Sequence, residues 1–273
     1  MEITIKPQKG ININLKELWE YRELFYFFTW RNIKVKYKQA FLGCLWAILR
    51  PFITMVIFAF LFGKVLDIST DGIPKPIFYF SGLLIWNIFS LGVTESGNSM
   101  VTNSNIIKKI YFPRLIIPMS SILSAVFDFL MAFTVFIGLI IYYEMDVNVL
   151  KMLFLLGFSL LLTIISTFGI GCIFAALNVK YRDFRYIVPF FVQSLMFLSP
   201  VIYPVSVFNN YPWAKYVLAI NPMTSAVNLS RNSVIDAPID YNALIISTAT
   251  GIILFITGIL YFRKSESYFA DIV

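Results

Sequence analysis

Histidine is absent from this 273-residue chain, and cysteine occurs only at Cys44 and Cys172, each in apolar surroundings. That leaves no donor set for a zinc or copper centre and no disulfide framework to read. Charge is scarce too: Asp, Glu, Lys and Arg make up 14% of residues, against 59% hydrophobic ones that include 28 phenylalanines. A water-soluble fold of this length needs a larger polar share to cover its surface, so the composition argues for a bilayer as solvent. The nucleotide-binding pattern G-x-x-x-x-G-K-[ST] is missing, because the pair Gly63-Lys64 lacks both the earlier glycine and the following hydroxyl residue. ATP hydrolysis by that route is not expected of this chain. H-E-x-x-H and G-x-S-x-G are absent as well, and a serine hydrolase without histidine would need a base that the uncharged runs do not hold. No G-x-x-x-G pair occurs, which leaves any dimerisation to other small-residue patterns or broader surfaces. The opening MEITIKPQKG has no apolar core, so no removable leader is expected.

What the sequence does contain is long apolar runs. They predict an all-α polytopic membrane protein with six spans at about 41–63, 77–98, 115–143, 152–176, 187–202 and 241–262. An arm at 1–40 precedes this domain of 41–262, and a tail at 263–273 follows it. The fifth run is short, and prolines at 189, 200, 204 and 212 chop it and its sequel. The segment PVIYPVSVFNNYPWAKYVLAINP, 200–222, is too broken to cross and too apolar for a solvated loop. A re-entrant or surface-lying element is expected over about 200–235, with a short outer helix at 223–235.

Before the first span, Asn14 and Glu17 have capping-box spacing. Leu15, Leu18, Trp19, Phe25 and Tyr26 then share one side of a helix at 15–29, opposite Lys16, Glu17, Glu20 and Glu23. The pattern fits a helix lying on the membrane or one packed against another element. Residues 30–39, WRNIKVKYKQ, carry Arg31, Lys34, Lys36 and Lys38 and read as a turn at an anionic leaflet. Sixteen of the 22 basic residues fall on the side of the two termini, five on the other, and Arg50 within the first span. Both termini are therefore expected in the cytoplasm. The net charge of +7 belongs to this asymmetry, and nucleic-acid binding is not expected.

Three ionisable groups lie in or near spans: Arg50, Glu95 and Asp128. Asp128 is either a proton or cation site or a structural group, bonded to a polar neighbour or paired with Arg50; Glu95 can pair with a basic loop. Aromatic residues gather at Trp86 and Phe89 and at Tyr203, Phe208 and Tyr211, as headgroup anchors or as a surface for sugar rings. Residues 105–118, NIIKKIYFPRLIIP, form a basic loop whose lysines hold topology. Topology does not account for Ile106, Ile107, Ile110, Tyr111 and Phe112, which suggest a partner.

Three stretches carry a family resemblance: RNIKVKYKQAFLGCLWAILRP at 31–51, IKKIYFPRLIIP at 107–118, and NVKYRDF at 178–184 with SPVIYP and INP beyond it. With the span layout, they resemble the permease subunit of type-two ABC exporters of polysaccharides, the O-antigen, capsule and teichoic acid export group. The resemblance covers roughly 15–265. It implies two copies of this chain and two ATP-binding cassette subunits in the inner membrane among its lipids. ATP and Mg belong to those subunits, with no cofactor and no covalent step in this chain. The implied cargo is a polyprenyl-diphosphate-linked glycan, O-antigen first, moved from the cytoplasmic to the outer side. Ile106, Ile107, Lys108, Lys109, Ile110, Tyr111, Phe112, Pro113 and Arg114, within a loop at about 103–114, would couple to the ATPase. Arg31, Lys34, Lys36, Lys38 and Arg50 would attract the diphosphate, and the glycan would pass over Trp86, Phe89, Tyr203, Phe208 and Tyr211. Alternatives are an exporter of teichoic acid, capsule, lipid or a small amphiphile, a proton-coupled exporter using Asp128 and Glu95, or a glycan-processing enzyme.

Overall fold

The computed structural model describes residues 15–38 and 42–272, and all the regular structure among them is helical. In chain order the helices are α1 (Leu15–Glu20), α2 (Arg22–Tyr37), α3 (Leu45–Phe58, continued by a π-helical stretch Ala59–Val65), α4 (Lys75–Thr102) and α5 (Ser104–Ile107). Then come α6 (Ile116–Tyr142), α7 (Val149–Lys180), α8 (Phe184–Leu198), α9 (Pro212–Ala219), α10 (Pro222–Asn232) and α11 (Tyr241–Ile272). Five stretches are long and apolar enough to cross a membrane: Leu45–Val65, α4, α6, α7 and the Tyr241–Glu266 part of α11. The fold is thus an all-α polytopic one. The apolar α8 has 15 residues and stops where Ser199-Pro200 breaks it.

Helix α4 is the central post. Its buried residues, from Ile77 through Trp86 to Met100, occupy every side of the cylinder, as a helix enclosed by others requires. It packs against α6 and α7 along its length and also touches α3, α8 and α10. Single glycines let these helices approach. A Cβ on Gly92 would meet the Thr167 side chain at 2.5 Å, and one on Gly171 would meet Ser96 Oγ at 2.5 Å. Where α7 crosses α11, a Cβ on Gly258 would run into the Gly169 carbonyl, so backbone touches backbone without a G-x-x-x-G pair. Overpacking costs about 1–3 kcal/mol even where side chains can yield, and here only main chain is present. Gly258→Val is therefore expected to abolish the monodisperse peak in size-exclusion chromatography, while Gly138→Val, which meets nothing within 4 Å, leaves it unchanged.

Several boundaries differ from expectation. The basic stretch 30–38 is not a turn: all but Lys38 is helical, because it contains no Gly or Pro and is rich in residues that favour helix. A break at Tyr21 separates it from α1, and Asn14 of the expected capping box lies outside the described residues. The two sides of this helical arm are both apolar. Leu18, Leu24, Phe25 and Phe28 face the bundle, whereas Trp19, Tyr26, Phe27 and Trp30 are exposed. Through the tail, α11 runs unbroken to Ile272 and buries Phe262 and Phe269 against one another, 5.1 Å apart.

The short helix expected at 223–235 is α10, Pro222–Asn232, and it is buried. Asn221 caps α10, its side chain accepting the Met223 N–H at 3.0 Å, and Pro222 occupies the first helical position. The helix then packs on α4, α7 and α11. Hydrogen bonds hold it there: Ser159 Oγ donates to the Ala226 carbonyl at 2.6 Å, Ser230 Oγ to the Ser81 carbonyl at 3.1 Å, and Ser225 to Ser247 at 2.7 Å.

Candidate functional site

One end of the bundle gathers the arm, the 103–115 loop and the last turns of α7 and α11 around a shared apolar cluster that includes Phe28, Phe112, Val179 and Phe262. Within the loop, an exposed run at 108–111 lies between buried residues. Ile107 and Phe112 are buried, the latter 3% exposed with its ring tilted by 36° and 5.5 Å from that of Phe28, and Pro113 is buried beside them. Ile110 and Tyr111 are 61% and 63% exposed, flanked by exposed Lys108 and Lys109. Ile106 is half-buried. Of the apolar groups expected to meet a partner, Ile110 and Tyr111 are the exposed ones, and Phe112 is an anchor holding the loop down. Arg114 fixes the other side, donating to the Glu266 carbonyl at 2.6 Å with its guanidinium 5.9 Å from the Phe269 ring.

The five basic residues expected to meet a diphosphate separate into two groups. Arg31 donates to Asn103 Oδ1 and lies 4.8 Å over the Phe28 ring. Lys36 donates to Glu95 at 2.9 Å and to Asp128 at 2.6 Å, and Tyr37 donates its hydroxyl to the other Asp128 oxygen. Asp128 thus pairs with Lys36 and not with Arg50. Burial alone would depress the Lys36 pKa, but Glu95 and Asp128 outweigh it and raise it above the ordinary lysine value. Lys34 and Lys38 are exposed, Lys34 within 5.3 Å of the Trp30 ring. Arg50 projects from α3 where two cavities meet.

The first cavity, about 470 Å³, is lined by Lys36, Tyr37, Arg50 and Asp128 among apolar groups. The second, about 540 Å³, is lined by Arg50, Glu95, Thr94, Gln193 and Trp86. Asn87, Thr54 and Leu91 line both, so the two form one groove between α3, α4, α6 and α8. Trp86 reaches that groove, whereas Phe89 is buried behind it, ring centroids 5.2 Å apart. Tyr203, Phe208 and Tyr211 lie in the irregular segment after α8 instead. Tyr203 and Phe208 meet edge to face at 5.8 Å, Tyr203 donates to the Phe197 carbonyl at 3.2 Å, and Tyr211 is exposed.

Charge counting placed Arg231 among the five basic residues on the side away from the termini; in the structure it is buried, 3% exposed. Its guanidinium donates to the carbonyls of Val201 at 2.7 Å and Tyr203 at 3.2 Å and stacks 3.6 Å over the Phe78 ring. A lone arginine in the otherwise uncharged 223–235 segment was the available signal. Asn103, Asn32, Tyr37, Asn87 and Gln193 were missed also; uncharged polar residues carry no sign that would single them out.

A multi-span fold with charged groups drawn into a groove, and with no three His, Cys, Asp or Glu side chains converging among the described residues, has the organisation of a membrane permease. Residues 23–235 match the family model of the ABC-2 type transporter. The chain is 30% identical to an O-antigen export system permease protein RfbA of Klebsiella pneumoniae over 92% of this chain and 95% of that relative. It is 30% identical to RfbA of Myxococcus xanthus over 77% and 80% of the two chains, and 28% identical to the polysialic acid transport protein KpsM of Escherichia coli over 87% and 92%. The chain belongs to the ABC-2 type transporter family, as a multi-pass permease of the inner membrane.

Proposed function

We propose that this chain is the membrane subunit of an ATP-driven exporter that moves a polyprenyl-diphosphate-linked polysaccharide, O-antigen by first choice, from the cytoplasmic to the outer side of the inner membrane. The observation that carries the cargo is the near end-to-end similarity to permeases named for O-antigen export. Two copies pair, and each meets one ATP-binding cassette subunit. The basic end is cytoplasmic, in accord with the distribution of Lys and Arg. α8 completes six crossings, and the 199–235 segment forms the re-entrant outer element. The exposed aromatic side of α1 and α2 rests on the inner leaflet.

In this reading Ile110 and Tyr111 are the ATPase contact, flanked by Lys108 and Lys109, while Ile107, Phe112 and Arg114 hold the loop that presents them. The diphosphate is met by Lys34, Lys38 and Arg50; Arg31 and Lys36 are committed to protein partners. Arginine can grip two phosphate oxygens at once, which suits Arg50 at the junction of the cavities. The glycan follows the groove past Trp86 and leaves over Tyr203, Phe208 and Tyr211. A proton-coupled route has less support, because the buried Asp128 carboxylate already holds two donors.

Depleting the chain from its native cell tests the cargo. Polyprenyl-diphosphate-linked O-antigen should accumulate inside, with loss of the surface polymer. Accumulation of a capsular or teichoic polymer, or of an unglycosylated amphiphile, would overturn the O-antigen assignment in favour of that cargo.

A further inference from the structure

One side of α2 makes a ladder of polar contacts to the two helices that flank the 103–115 loop. Near the loop, Arg31 reaches Asn103 at the end of α4, and Asn32 Nδ2 reaches Ser120 Oγ on α6 at 3.3 Å. Deeper in, Lys36 reaches Glu95 on α4 at 2.9 Å and Asp128 on α6 at 2.6 Å, with Tyr37 on Asp128 as well. The rungs on α4 and on α6 are each eight residues apart, roughly 12 Å at 1.5 Å per residue, so both helices are held at the same two depths. Apolar faces can slide over one another at little cost. Two carboxylates on one ammonium cannot, since a shift that lengthens either pair leaves a charge uncompensated in a partly buried setting.

The next helix, α3, begins eight residues beyond Tyr37. Trp46, Ile53, Val56, Phe60 and Leu61 of the Leu45–Val65 stretch are exposed, so this chain itself covers little of that stretch. The stretch nevertheless lines both cavities through Arg50 and Thr54. We propose that Lys36, with Glu95 and Asp128, is a positioning residue of the transport cycle: it is a brace that locks α2 to α4 and α6, so that displacement of the 103–115 loop moves these three helices as one body against α3. The triad neither binds cargo nor opens during the cycle.

This inference rests on the exporter reading, and the test separates the two. Permease and ATP-binding subunits are reconstituted in proteoliposomes with lipid-linked glycan extracted from the source membranes. ATP turnover, glycan translocation and the distance between spin labels at Ile53 on α3 and Leu130 on α6 are measured. Lys36→Met is expected to keep ATP turnover within about twofold, lower translocation at least tenfold and remove the ATP-driven change in label distance. Lys36→Arg retains all three. A disulfide formed between Asn32→Cys and Ser120→Cys, with Cys44 and Cys172 replaced by serine, is expected to restore translocation to Lys36→Met and to lose that effect on reduction. The isosteric pair Glu95→Gln with Asp128→Asn should give the same split, and it decides the matter if Lys36→Met fails to assemble. Translocation by these variants within twofold of wild type, or an unchanged ATP-driven label distance, overturns the brace. A disulfide that restores nothing overturns it too and assigns Lys36 to the cargo phosphate. Wild-type vesicles that turn over ATP without moving glycan overturn the exporter reading, and the brace is then judged on label distance alone.

Discussion

Arg231→Ala should nearly eliminate folded protein from the membrane, the largest effect expected of any single substitution at the outer segment. The guanidinium is fully enclosed and carries hydrogen bonds to Val201 and Tyr203 in a stretch that has little regular structure of its own. Alanine would strand those carbonyls and leave a cavity against Phe78, which together cost about 3–5 kcal/mol. Typical stabilities are only about 5–15 kcal/mol, so a loss of that size removes much of the margin. Arg231→Lys should recover part of the loss, because an ammonium is a point donor that cannot span both carbonyls and stack on the ring as well. Thermal unfolding followed by tryptophan fluorescence in detergent measures this. A midpoint for Arg231→Ala equal to wild type would show that the 199–235 segment is held by other contacts.

The second large effect is at the exposed end of the 103–115 loop. Ile110→Asp with Tyr111→Asp should leave thermal stability unchanged, since both side chains already face outward. The same change should release the ATP-binding subunit, because charges set on a desolvated apolar contact lose at least ~2 kcal/mol each, roughly thirtyfold per residue. Lys108→Gln with Lys109→Gln should weaken capture far less, as exposed ion pairs contribute about 0–1 kcal/mol. Phe112→Asp gives the contrasting result, loss of folded protein, because it buries a carboxylate against Phe28. Affinity capture of the ATP-binding subunit on each purified variant distinguishes these outcomes. Retained capture by the Ile110/Tyr111 variant would move the docking surface elsewhere.

The long spans are legible in the sequence because apolar runs of this length have one common use, and α4, α6, α7 and α11 fall close to where hydropathy puts them. The short helices are less so. Residues 30–38 look like a turn when charge density is read ahead of helix propensity, and the serines and asparagines of α10 give no sign in the sequence that this helix is buried. Those serines bond to main chain of neighbouring helices, a use that no local pattern reveals. Long-range polar pairing is harder still. Lys36 lies 59 residues from Glu95 and 92 from Asp128, and the sequence offers Arg50 as an equally suitable partner for Asp128 and a basic loop for Glu95. Phe112 and Ile110 are two residues apart in a loop without periodicity, so which of them points inward depends on Phe28 and Arg114, not on spacing.

The most direct measurement is uptake of radiolabelled polyprenyl-diphosphate-linked glycan by proteoliposomes that hold this chain with its ATP-binding subunit facing outward. Glycan should become protected inside the vesicles when ATP is added, and should stay outside with a non-hydrolysable analogue or with the Ile110→Asp/Tyr111→Asp chain. Protection that appears without the ATP-binding subunit, driven by a pH gradient and lost on Asp128→Asn, would contradict ATP-driven export.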